Sequence, residues 1–402
     1  MTLDEIRNRD SLRQWLKGQT REVAVTIAHR AAMRVAPVFW ERVTPALGTP
    51  DQAALITARP MLIAGIAGFC PTDEANVAAR AATRSVDAAG LVPAVTTDAT
   101  VAVDAAMKAV AAAAAKAAPA ILRYDGSVAR DGTSFHDGGY AVTGSSAASN
   151  VANQVAPVIW TEVRKDVKTL TGAETGQPAT ATPLWHNGEN PFADAWQTVR
   201  TAWAATDDRG WQFWIDWYEA VLDGRPLLGD WDRHWTLLTD IALISDHDWN
   251  AGPDKVNPLI GAAHLRHIVR KQAEDLLADH HRLRALEFAT RHPPRDHNNP
   301  PEILALDPKA YDDVERASGV ARAAVEEMRF ESQLDRPNPV KLRESADRLS
   351  AALTSVLKYL GGKADLAIET LIKWGVPAGV VWMLTNQDKL AAFLLSVRSL
   401  PG

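Results

Sequence analysis

WQFWIDWYEAVLDGRPL, residues 211–227, sets three tryptophans and a tyrosine among its first eight residues, then reaches a glycine and a proline. At about 100° per residue, Trp211, Trp214, Ile215, Trp217, Tyr218, Val221 and Leu222 fall within a sector of roughly 160°. Gln212, Asp216, Glu219 and Asp223 gather on the opposite side. The stretch is therefore an amphipathic helix with a heavy apolar face, stopped by DGRPL. Each aromatic can bury about 150–250 Å², worth at most roughly 4–6 kcal/mol at about 25 cal/mol per Å². Such a face must be covered, by the protein's own core first and otherwise by a partner or a ligand. Trp217 at the edge of the sector and Phe213 outside it are the expected exposed aromatics, and hence candidate partner-binding residues.

The flanks read the same way. Asn190 suits an N-cap and Pro191 a first helical turn, and Trp196, Val199 and Trp203 then share one helical face. TDDRG closes that helix. WDRHWTLLTDIALI forms another, Ser245 and Asp248 stand in the relation of a capping box, and a long helix runs from about Asn257. Toward the N-terminus, Val23, Ile27, Ala31 and Val35 recur at helical spacing, with an end expected near Pro37. From Leu62 to Leu122 alanine dominates, the best intrinsic helix former, up to Pro119. Residues 123–150 are rich in glycine, serine and aspartate and read as loop. HPPRDHNNPPEILALDP, residues 292–308, holds five prolines and makes a stiff connector. Beyond it come two helices around DRPNP, paired glycines at 361–362, and the apolar tail ADLAIETLIKWGVPAGVVWML, whose Trp374 and Trp382 are further candidate partner-binding residues.

The organisation expected is an Ala-rich helical bundle (1–122), a loop-rich connector with a short helix (123–190), a Trp-rich helical module (191–291), the proline linker (292–308) and a C-terminal helical hairpin with apolar tail (309–402). With no alternating strand run and no βαβ pattern, the fold class is all-α.

Composition narrows the function classes. The chain has 402 residues, 47% apolar and 23% charged, with a net charge of -6 and a single cysteine, Cys70. One cysteine excludes an intramolecular disulfide and cysteine-based zinc sites. A reducing, cytoplasmic setting fits, and MTLDEIRNRD lacks the apolar core of a signal peptide. Residues 185–254 hold thirteen acidic and four basic side chains, a local charge of -9, whereas 255–295 hold eight basic and four acidic, or +4. An acidic aromatic region has the wrong sign for stacking bases along a phosphate backbone, so nucleic acid is not an expected partner.

Candidate chemistry is sparse. Ser134, His136 and Asp137 lie close together in GTSFHDGG, but triad members converge from separate elements and no nucleophile elbow is present. Asp216, Glu219 and Asp223 share one helix surface rather than flanking a cleft, which makes them a solvated face. His267, Glu274 and His281 share a helix face but stand two turns apart, roughly 10 Å each, too far for one metal ion. His264 and His267 supply two ligands at most. These four histidines (with His280) read as solvated or interface residues; no metal and no cofactor is expected.

The pattern WxxWYExxLxGxPL, carried by Trp214, Trp217, Tyr218, Glu219, Gly224, Pro226 and Leu227, followed by DWxxGP from Asp248 and Trp249 to Pro253, resembles a helical module of uncharacterised bacterial proteins. The tail, from Asn338 and Pro339 through a Leu-rich helix, paired glycines and a final apolar helix, is similar to the ends of other such proteins. The resemblance covers about two fifths of the chain. It implies a bacterial cytoplasmic protein assembled from helical modules, and it carries over no catalytic residue.

The function expected is a non-enzymatic helical protein–protein interaction or oligomerising scaffold, with a protein partner or self-association. Two alternatives stay open. One is a membrane-acting effector making peripheral contact through the tail from Leu366, where Glu369 and Lys373 prevent the run of about 20 apolar residues a span needs. The other is a hydrolase-like enzyme whose site joins the 123–150 loop to the helix histidines.

Overall fold

Helical periodicity is realised along most of the described chain. The computed structural model describes residues 6, 14–15, 18–46, 50–69, 157–171, 181–206, 208–290, 308–334, 337–360 and 376–400, and among them no strand occurs. The Ala-rich stretch beyond Phe69, Cys70, the 123–150 loop with Ser134, His136 and Asp137, residues 292–307 and Trp374 lie outside the described residues. The helices are α1 (Arg21–Ala46), α2 (Pro50–Phe69), α3 (Pro157–Thr171), α4 (Ala193–Ala204), α5 (Arg209–Asp223), α6 (Trp231–Ala242), α7 (Asp246–Asn250), α8 (Pro253–Thr290), α9 (Pro308–Glu331), α10 (Pro339–Leu360), α11 (Ala378–Thr385) and α12 (Gln387–Arg398). Packing divides the chain into two compact units, Met1–Ala263 and His264–Gly402.

In the first unit α1 lies along α2 and touches α3 and α4, α6 packs on α2, and α4 packs on α5. α5 starts and stops for local reasons. Asp208, extended at its N-cap, accepts the Gly210 N–H. At the other end Gly224 sits at φ 63° while the Arg225 N–H donates to the Ala220 carbonyl and the Gly224 N–H to that of Val221, the Schellman arrangement. A Cβ at Gly224 would also lie 2.5 Å from the Thr182 backbone, so both conformation and space require glycine there.

The exposure expected for two aromatics is corrected. Phe213 is 0% and Trp217 1% exposed. α5 is covered on more sides than its wheel shows: Ala220 and Phe213 join the buried set, widening it to roughly 220° on the same wheel and leaving only the Gln212–Asp216–Glu219–Asp223 strip outward. Around it Trp196 lies 4.4 Å from Tyr218, Trp203 4.8 Å from Trp211, and Trp40 of α1 5.2 Å from Trp203, centroid to centroid. These are tilted contacts of the kind aromatic pairs favour. Trp231 and Trp235 of α6, stacked at 5.8 Å, are half-buried.

Three helix boundaries differ from the sequence reading. α1 runs through Pro37 to Ala46. A mid-helix proline leaves the carbonyl four residues back without its donor; here that is Met33, and the Tyr218 hydroxyl donates to it at 3.1 Å. α4 begins at Ala193, not at Pro191, because the Asn190 side chain accepts the Phe192 N–H in a turn before the helix. α8 begins at Pro253 after Gly252 (φ 93°), four residues before Asn257, and carries Pro258 within its first turns. Ser245 does cap α7, accepting the Asp248 N–H while its own hydroxyl donates to the Asp248 carboxylate.

The second unit has its own core. Met328 of α9, Leu342 and Leu349 of α10, Trp382 of α11 and Phe393 of α12 bury together with Leu276 of α8. The Trp382 indole N–H donates to the Leu276 carbonyl at 2.8 Å. Val376, Val380, Val381 and Met383 are buried as well, so the described part of the apolar tail is covered by the chain itself. No helix among the described residues is long and apolar enough to cross a membrane.

Candidate functional site

The first unit holds a buried charged cluster that no reading of neighbouring residues reveals. Arg30 and Arg34 stand one turn apart on α1, and Glu162 and Asp166 one turn apart on α3, so each helix presents a pair of like charges on one face. The Arg34 guanidinium holds both oxygens of Asp166, at 2.6 and 2.9 Å, and Arg30 Nε donates to the same carboxylate at 2.8 Å. His186 Nε2 lies 2.9 Å from Asp166. The remaining guanidinium hydrogens hold a non-helical segment: Arg30 donates to the Thr182 and Pro183 carbonyls and Arg34 to that of Leu184. Glu162 accepts the His186 N–H at 2.9 Å and the Lys165 ammonium at 2.7 Å. Residues 182–186 are thereby fastened from α1 and α3, and the Leu184 N–H reaches the Leu222 carbonyl at the end of α5.

Burial alone would push the Asp166 carboxyl up, but Arg30 and Arg34, with hydrogen bonds from His186 and Arg34, hold it well below the usual carboxylate range. Burial lowers the Arg30 guanidinium from its ordinary value and Asp166 opposes that; a guanidinium stays protonated in any case. Three cations (Arg30, Arg34, Lys165) meet two carboxylates (Glu162, Asp166), so the cluster keeps one formal positive charge.

Beside the cluster, a pocket opens among α1, α2, α5 and α6, lined by His29, Arg30, Gly65, Trp217, Arg225, Trp231, His234 and Trp235 among others. Its empty volume is about 420 Å³ counting its open mouth. Burial, then the charge of Arg30, push His29 down to about 3 against a hydrogen bond with the Met61 backbone. Burial pushes His234 down to about 4, and its Nδ1 accepts the Leu227 N–H at 3.2 Å. Both rings are neutral at pH 7. Gly65 makes room for His29: a Cβ there would lie 3.2 Å from the imidazole.

The residues singled out in the sequence lie elsewhere. Phe213, Trp217 and Trp382 are buried, with only Trp217 lining the pocket. Asp223 is exposed, Glu219 pairs with Arg200 at 2.7 Å, and partial burial pushes the Asp216 carboxyl up. Of the histidines expected in solvent or at an interface, His281 is exposed; His264, His267 and His280 are buried, the last edge-on to Trp382 at 5.3 Å. α8 packs on more than one side, which a single helix pattern does not show. Among the described residues no group of three or more His, Cys, Asp or Glu is placed to hold a metal ion. The signal for the missed cluster was present: HRAAMR sets Arg30 and Arg34 among apolar residues in the middle of α1, and buried cations require buried anions. Its counterpart in α3 lies 132 residues away in sequence. No protein family, curated protein or solved structure matches the chain.

Proposed function

We propose that this chain is a non-enzymatic helical interaction protein that self-associates through its second unit. The observation that supports the reading is a concentration of exposed apolar side chains where α9 turns into α10. Phe330 is 62%, Leu334 39% and Val340 59% exposed, while Met328 and Leu342, two residues from the first and last of them, are fully built into the core. Single exposed apolar residues are ordinary; three around one turn form a patch of the kind used for contact. The two helix ends are tied to each other: Glu331 accepts the Asn338 N–H, and the Asn338 side chain accepts that of Val340. A two-fold contact between copies needs only one such self-complementary surface.

Sedimentation equilibrium of the full chain across a wide concentration range tests this. Mass-action dimerisation is expected, weakened at least about tenfold by Phe330→Ser with Val340→Ser, since removing a central apolar anchor costs more than about 1 kcal/mol. A wild-type chain that stays monomeric throughout would overturn the proposal.

A further inference from the structure

We draw no further inference here: the strongest candidate, the groove between α8 and α12 of the second unit bordered by Gln272, Asp275, Asp279 and Lys389, carries nothing, because its carboxylates are already paired with Lys271, Arg282 and Lys389 and nothing in the structure shows what covers it.

Discussion

Pro37 has no N–H for the Met33 carbonyl, and the Tyr218 hydroxyl takes the place of that donor at 3.1 Å. The phenol is fully buried, and burial pushes its ionisation above the ordinary tyrosine range, so it stays protonated and able to donate. Tyr218→Phe removes the donor while keeping the ring against Trp196 and Trp40. A buried carbonyl left without a partner costs about 1–3 kcal/mol, and urea unfolding should show that loss. Pro37→Ala restores the backbone donor, so the same Tyr218→Phe change should cost markedly less in that background. Additive effects in this double-mutant cycle would show that the hydroxyl does not serve the proline. Neither residue advertises the other, because they lie 181 positions apart.

At the scale of elements, the helices were legible and their surroundings were not. The α5 pattern predicts its axis, its stop at Gly224 and its polar strip. It places Phe213 and Trp217 outward only because a wheel assumes one covered side, and α5 is covered on most of its circumference. The segment at 182–186 lies within the stretch that reads as connector; three helices in fact hold it. α1 and α3 bind it through the Arg30–Arg34–Asp166 cluster, and α5 through the Leu222 carbonyl. Asp166→Asn should therefore cost about 3–5 kcal/mol, the penalty of leaving buried charge without its partner. It should also speed proteolysis near residue 182, where the restraints on the backbone depend on guanidiniums that Asp166 orients. A stability loss under about 1 kcal/mol would mean that the pair is compensated elsewhere.

For the whole molecule, burial of neutral histidines makes stability a function of pH. Folded His29 and His234 take up a proton only near about 3 and about 4, whereas an unfolded histidine does so near about 6.5. Between those limits the unfolded chain binds more protons, so stability rises with pH across the window and falls on acidification from about 6.5 toward 4. The slope reaches about 1.4 kcal/mol per pH unit for each histidine. Asp166, held low, acts in the same direction further down: its contribution is complete above the unfolded value of about 3.9 and is lost as pH falls toward its folded one. Urea midpoints at pH 7.5, 6 and 5 should fall in that order, and a flat profile would contradict the burial of these rings.

By itself the sequence determined an all-α protein, the faces of its amphipathic helices, the stop at Gly224 and the Ser245 cap. Those features depend on contacts within about four residues, which any window of the chain contains. Only the tertiary structure decided that α1 passes through Pro37, that α5 is buried on most of its circumference, and that Arg30 and Arg34 share one carboxylate with a pocket beside them. Each of those depends on a side chain more than 130 positions away, and helical periodicity carries no information about which distant helix arrives to cover a face or neutralise a charge.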